Sequence, residues 1–268
     1  MILNSKRLGQ HFLINKSAIS RIVAALDLKE NETVIEIGPG KGSLTIPLLG
    51  VAKKLNCKII GIEKDSVLSV GLQQTTNNKN LEIVVGDALK ILPTIIHHSS
   101  FIIQKYKVVG NIPYYITGKL LRILSELENK PSLIILMIQK EVAQRIMAKP
   151  PQTNLLSAIT QFWADPEILF TLNPKDFSPA PEVNSAVIKL VPKKQITTNG
   201  SMANNQYYDF VKVLFKQPRQ TILNNLKRGL NLKSEEIVEK MNKAKINVQN
   251  RPQDLSLEQI GELWRMLF

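Results

Sequence analysis

Four short apolar runs, each closed by a polar residue and most of them separated by helix-spaced residues, set the tightest limit on what this chain can fold into. Thr33-Val34-Ile35-Glu36-Ile37 is β-branched and runs into Gly38-Pro39-Gly40-Lys41-Gly42, after which helical apolar spacing resumes. Residues 59–62 end at Glu63, residues 81–85 at Gly86-Asp87, and residues 106–110 at Asn111. Strands alternating with helices predict an α/β fold with a central, mostly parallel sheet covered on both faces. In doubly wound sheets ligands meet the carboxyl ends of the strands, so Glu36, Glu63, Asp87 and Asn111 should converge on one edge.

The remaining pattern divides the chain. Residues 1–16 read as a polar arm, and Ile19, Ile22, Val23 and Leu26 fall on one helical face. Residues 133–138 predict a fifth strand leading into a helix from Lys140, and residues 155–163 a further helix. The segment 177–183 carries Pro179 and Pro181, which excludes helix and central strand and leaves a stiff loop. Residues 184–190 return to the sheet. A polar stretch from Pro192 to Asn205 ends the strand pattern. The expected division is therefore a sheet domain over 1–192, a linker over 193–205 and a small all-α domain over 206–268. In that last part Tyr207, Val211 and Leu214 share a face, as do Ile260, Leu263, Trp264 and Leu267. Ser256 with Gln259 makes a capping box, and Leu255 with Ile260 a hydrophobic staple, at the start of the final helix.

Charge narrows the partner. The chain holds 35 Lys and Arg against 22 Asp and Glu, a formal net charge of +13. So basic a surface points to a polyanion, with anionic membrane as the rival. No apolar run approaches the roughly 18 residues needed to span, and no apolar signal core follows Lys6 and Arg7, so a cytoplasmic protein is expected. Lys212, Lys216, Arg219, Lys227, Arg228 and Lys233 face only Asp209 between Tyr207 and Lys233, which favours nucleic-acid contact over a merely solvated surface. One cysteine, Cys57, excludes an internal disulfide framework, and the three histidines form no close-spaced ligand motif, so no metal is expected.

A glycine turn after a first strand also suits a dinucleotide. Here the glycines run G-x-G-x-G, with Ser43 where the dinucleotide fingerprint requires its third glycine or alanine. Glu63 can accept two ribose hydroxyls and Asp87 an adenine amine, which together read as an adenosine clamp without phosphate. With an amino-acid tail over the glycines, the ligand that fits is S-adenosylmethionine. Asn111-Ile112-Pro113-Tyr114 adds a rigid corner: the proline fixes its own φ, the Asn offers an acceptor to an exocyclic amine, and the Tyr offers a flat face.

These residues sit within longer matching stretches. GQHFL at 9–13, EIGPGKGSLT at 36–45, GDAL at 86–89, NIPYYIT at 111–117, MIQKEVAQRI at 137–146, FSPAPEVNSAVIKL at 177–190, FKQPRQTILNNL at 215–226 and RPQDLSLEQ at 251–259 occur in this order. The chain resembles the ribosomal RNA small-subunit adenine dimethyltransferases, class I enzymes that use S-adenosylmethionine. The resemblance implies a Rossmann-like methyltransferase domain followed by a helical domain, and dimethylation of two neighbouring adenines near the 3′ end of 16S RNA. It implies that His11 and Leu13 contact the cofactor from the arm, Gly38 and Gly40 its methionine half, Glu63 the ribose and Asp87 the adenine. Asn111 would lie between cofactor and target amine, and Tyr114 and Phe177 would sandwich the extruded base. Ile112 and Pro113 complete the catalytic corner, and the small ribosomal subunit is the partner of an expected monomer. Glu36 and Gly42 fit an architectural part equally well, His11 a surface arm and Phe177 a pin for the proline loop; His97 and His98 read as exposed loop residues.

Three departures from the family pattern stand out. Pro218-Arg219-Gln220 replaces a more basic run, Glu182 and Asn184 stand where Lys and Asp are common, and His11 occupies a place often held by Asn. Two other functions compete: adenine methylation of large-subunit RNA of the macrolide-resistance type, and a largely non-catalytic part in small-subunit assembly.

Overall fold

The computed structural model describes residues 11–97, 105–193, 200–230 and 232–268, with side chains throughout except at 97 and 200–204. Gly9, Gln10, His98 and the linker positions 194–199 lie outside the described residues.

The described residues begin with β1 (Phe12–Leu13) and α1 (Lys16–Ala25). Strand and helix then alternate through β2 (Thr33–Ile37), α2 (Thr45–Leu55), β3 (Lys58–Glu63), α3 (Ser66–Thr76), β4 (Leu81–Val85), α4 (Ala88–His97), β5 (Tyr106–Asn111) and α5 (Thr117–Glu126). There follow β6 (Leu133–Gln139), α6 (Lys140–Ile146), α7 (Leu155–Trp163), β7 (Ala164–Leu172), β8 (Phe177–Ser178) and β9 (Ser185–Pro192). The chain closes with α8 (Gly200–Leu214), α9 (Ile222–Gly229), α10 (Ser234–Lys243) and α11 (Leu257–Leu267).

The seven-stranded sheet has the order β4-β3-β2-β5-β6-β9-β7. Strands β2 to β6 are parallel to their neighbours, and β9 runs antiparallel to β6. From β2 the chain winds outward to β4, then returns to place β5 on the other side of β2. The crevice at the carboxyl ends of β2 and β5 is therefore the switch point of the sheet, where doubly wound folds bind ligands. Buried Val34, Ile59, Val109, Ile135 and Val187 on the strands pack with Ile22 of α1, Leu26 at its C-terminal cap, and Leu48 and Ala52 of α2. Each fully buried aliphatic side chain contributes on the order of 1.5 to 3 kcal/mol, so this core fixes the strand ends firmly.

The chain forms two compact units. One comprises the residues up to Ala143 with Glu167–Pro192, the other Gln144–Pro166 with Lys193–Phe268. Residues 144–166 thus differ from the expected division, because α7 turns Leu155, Ala158, Ile159 and Phe162 into the core of the helical unit. There Phe162 stacks on Tyr207 at 3.7 Å and Trp264 meets both rings edge-on. Helix α8 begins at Gly200, so residues 200–205 are helical rather than linker. The expected capping box is present: the Ser256 hydroxyl accepts from the Gln259 N–H, and the Gln259 side chain accepts from the Ser256 N–H. Leu255 and Ile260 are buried in the same cluster, as a staple requires.

Three local readings change. Strand β7 was not anticipated: it opens on Ala164-Asp165-Pro166 and is mostly half-exposed at the sheet edge, so it lacks clean alternation. The start of the proline loop is a short strand, because Phe12 and Leu13 pair antiparallel with Ser178 and Phe177. His97 is the last residue of α4 rather than a loop residue.

Candidate active site

A cleft holding about 760 Å³ of empty space, part of it open to solvent, lies at the switch point of the sheet unit. His11 and Phe12 of the arm, Gly38 and Gly40 of the turn after β2, Glu63 at the end of β3 with Lys64 after it, and Gly86 and Ala88 from β4's end onward line it, together with residues 111–115. Strands β2, β3 and β5 deliver their last residues, Ile37, Glu63 and Asn111, there because parallel neighbours in register end at nearly the same level.

The glycine turn is shaped by backbone that other residues rarely adopt. Gly38 and Gly40 have φ of 69° and 58°, and a Cβ on Gly40 would come within 2.9 Å of the Phe12 ring. Gly42 answers both needs: its φ is 84°, and a Cβ there would lie 2.6 Å from Leu72 Cδ1. Glu63 spans the turn and its own loop, accepting from Gly40 N–H at 2.8 Å on one carboxylate oxygen and from Asp65 N–H at 2.9 Å on the other. A carboxylate has about four lone-pair positions, so acceptor capacity remains for ligand hydroxyls.

Asn111 is held from one side only. Its side-chain N–H donates to the His11 carbonyl at 2.7 Å, which fixes the amide plane and leaves Oδ1 without a partner among the described residues. The arm that supplies this carbonyl is itself tied down. His11 Nδ1 lies 2.9 Å from the Pro179 carbonyl, Ile14 N–H donates to Asp176 O, and the Asn15 amide donates to Asp176 Oδ1 while its oxygen caps α1. Pro113, at φ −55°, leads into a tight turn over Tyr114–Ile116. The Tyr114 hydroxyl meets Ser185 Oγ at 2.7 Å, and its ring stacks near His11 with centroids 6.1 Å apart. Burial raises the Tyr114 pKa and the Ser185 bond opposes it, so the hydroxyl stays protonated at neutral pH.

Four expected residues do not line this cavity themselves. Asp87 stands beside the cavity but turns its carboxylate to Leu89 N–H, at 3.0 Å, and to Lys64, at 3.2 Å. Partial burial raises its pKa, yet the Leu89 and Lys64 interactions outweigh that and hold it below the usual range. Leu13 is buried and faces a smaller space of about 270 Å³ that also includes Glu36, Ser43 and Leu44. Phe177 is 4% exposed and belongs to the core with Leu13, so no sandwich with Tyr114 is formed; strand pairing of β1 with β8 draws the ring inward. Glu36 reaches the edge of the sheet but is sealed there, with Oε2 unpartnered. Burial pushes its carboxyl up to about 7, helped by the charge of Glu63 and opposed by the Thr45 hydroxyl.

Sequence reasoning assigned no part to Phe12, Lys64 or Tyr115, all of which line the cavity. Their signal was position: each neighbours an assigned residue, and at the end of a strand both neighbours reach the crevice. Among the described residues no cluster of three His, Cys, Asp or Glu side chains could hold a metal ion.

In the helical unit Lys212, Lys216, Arg219, Lys227 and Arg228 are all exposed. None pairs with a carboxylate among the described residues; Lys212 lies over the Tyr208 ring and Arg228 donates to Gln217 Oε1 at 2.9 Å. The turn carrying Lys216 and Arg219 is pinned by Asn225, 4% exposed, which accepts from Gln217 N–H and donates to Gln217 O and Thr221 O.

Comparison with known proteins bears on both units. The family described as "Ribosomal RNA adenine dimethylase" matches residues 1–267. Ribosomal RNA small subunit methyltransferase A of Dehalococcoides mccartyi is 36% identical over 264 residues, covering 98% of this chain and 86% of that one. Its counterpart from Mycoplasma mycoides is 34% identical over 270 residues, covering 98% and 97%. Two solved structures share the fold at 23% identity. A dimethyladenosine transferase from Plasmodium falciparum gives a TM-score of 0.76 over 94% of this chain and 96% of its own. The 23S rRNA methyltransferase ErmE gives 0.72 over 96% and 99%.

Proposed function

The chain belongs to the ribosomal RNA adenine dimethylase family, and from that premise we propose how the corner after β5 performs the chemistry. The protein is an S-adenosylmethionine-dependent methyltransferase that dimethylates adenine of 16S small-subunit ribosomal RNA. The observation that carries the mechanism is the half-satisfied amide of Asn111.

The cavity suits the methyl donor: bare glycine backbone at 38 and 40, a carboxylate at Glu63 with acceptor capacity to spare, and room for an adenosine beside Ile62 and Ala88. Gly38 and Gly40 would hold its methionine half, Glu63 its ribose, Asp87 its adenine edge, and His11 and Leu13 its arm side. When bound, S-adenosylmethionine supplies an electrophilic methyl group. The exocyclic amine of adenine is a poor nucleophile because its lone pair is delocalised into the ring. Asn111 Oδ1 and the Ile112 carbonyl accept its two hydrogens and favour a pyramidal nitrogen with a directed lone pair. Because His11 O occupies the Asn111 N–H, the amide cannot flip and present a donor instead. Pro113 fixes the corner, and Tyr114 supplies the stacking face, worth roughly 1 to 3 kcal/mol per base. Asn is no strong base, so catalysis rests on positioning, which can supply on the order of 7 to 11 kcal/mol. Phe177 could stack only if its ring left the core, so its part is to hold β1, and through it His11, in place.

Lys212, Lys216, Arg219, Lys227 and Arg228 carry the RNA phosphates, Arg219 first among them. The same reading makes the protein a cytoplasmic monomer. No described helix is long and apolar enough to cross a membrane, and the substrate is ribosomal. The test is incubation with labelled S-adenosylmethionine and unmethylated small subunits, with large-subunit RNA in parallel, then digestion to nucleosides. Dimethyladenosine from small subunits alone is expected. Label in large-subunit RNA would favour the resistance-type activity, and tight subunit binding without label an assembly role.

A further inference from the structure

Tyr115 has no evident work in the fold. It is 63% exposed, and the only other exposed large aromatic among the described residues is Phe268 at the end of the chain. It nevertheless lines the same cavity as Asn111 and Tyr114. Unlike Tyr114, its hydroxyl has no hydrogen-bond partner among the described residues. Its backbone is rigid: Ile116 N–H donates to Pro113 O at 3.1 Å, and the Thr117 hydroxyl to Tyr114 O at 3.0 Å. Gly118 and Lys119, exposed in the first turn of α5, follow three and four positions on, the spacing at which side chains along helical turns share a face. At Gly118 a Cβ would find nothing within 4 Å, so that flank is open. Lys119 has no carboxylate partner among the described residues.

An aromatic ring on a rigid base, an open flank and a free cation form a place for one nucleotide. Drawing an adenine into the cavity breaks its stacking and leaves the adjoining base at the rim without a neighbour. We infer that Tyr115 is the stacking platform for the unpaired base next to the target adenine, with Lys119 meeting the phosphate beside it. The inference rests on the reading of the cavity as the adenine site. Tyr115 then raises the affinity for extruded RNA and leaves cofactor binding alone.

The test compares wild type with Tyr115→Ala, Tyr115→Phe and Tyr115→Trp on unmethylated small subunits, with S-adenosylmethionine affinity measured by calorimetry. Tyr115→Ala should raise KM for the subunit about tenfold or more, with kcat within a few-fold and cofactor affinity unchanged. Phe and Trp should restore KM, since they keep the stacking face. Lys119→Gln should lower the salt dependence of RNA binding by about one phosphate contact. Unchanged KM in Tyr115→Ala, weakened cofactor binding, or failure of Phe to rescue would overturn the platform while an active wild type upholds the adenine reading. A wild type that methylates no RNA would overturn both.

Discussion

Two turns of this molecule are organised around an asparagine amide, and they differ in how much of it the fold uses. Asn225, in the first turn of α9, spends both ends on the backbone of the turn before it: its oxygen takes Gln217 N–H and its nitrogen serves Gln217 O and Thr221 O. Asn111, at the end of β5, spends only its nitrogen, on His11 O. The first amide is a finished brace; the second is a fixed acceptor with one position open. A polar group whose orientation is secured but whose valence is not filled marks where a ligand belongs, whereas a filled one marks where the fold needs support.

The largest effect expected from this contrast is in Asn111→Ala. Methyl transfer should fall roughly 100- to 1,000-fold, as for other lost positioning groups, with thermal stability and RNA affinity nearly unchanged. Equal loss of binding and turnover, measured together, would put Asn111 on the same footing as Asn225. Glu36 sharpens the contrast, being unfinished yet sealed. Its carboxyl moves from 4.5 to about 7 in the folded protein, so the fold holds the proton more tightly than the unfolded chain does. The cost of ionising it is absent below pH 4.5, grows between 4.5 and 7, and is complete above 7. Glu36→Gln should therefore stabilise the protein by up to about 3 kcal/mol at pH 8 and by little at pH 4.5, read from denaturant unfolding at the two pH values. The same gain at both would remove the buried charge as the cause.

Asn225→Ala should cost about 1 to 3 kcal/mol by orphaning the Gln217 backbone groups, and should weaken RNA binding because Lys216 and Arg219 lose their fixed turn. Cofactor affinity, measured on the same protein, should not move. The smallest effect belongs to Arg219→Gln, which leaves the brace intact. It should lower the slope of log affinity against log salt by about one, with stability unchanged. A drop in stability like that of Asn225→Ala would mean that Arg219 is part of the brace.

Local chemistry made much of this readable in the sequence. The span of β2 follows from five residues, four of them β-branched, stopped by Gly38, and the start of α11 follows from Ser256 and Gln259 because a cap is a contact between near neighbours. The polar strand ends could be placed on one edge because parallel register allows little else. What stayed hidden depends on distant packing. Leu155, Ile159 and Phe162 have the same helical spacing whichever core receives them, so the membership of α7 was not legible. Phe177 looked available because nothing local says that Leu13 pairs with it. Tyr115 was overlooked because exposure is a property of the folded surface, and the half-filled Asn111 amide because its partner lies 100 residues away.

The clamp on the arm has a consequence in time. The carbonyl that orients Asn111 belongs to His11, yet the arm is secured by Asp176, Phe177, Ser178 and Pro179. On a ribosome making this chain, the core strands β2 to β6 emerge well before those residues do. The Asn111 amide therefore acquires this orientation only after about two thirds of the polypeptide has been translated, because residues 11–15 are fastened by partners made much later than the strands they serve.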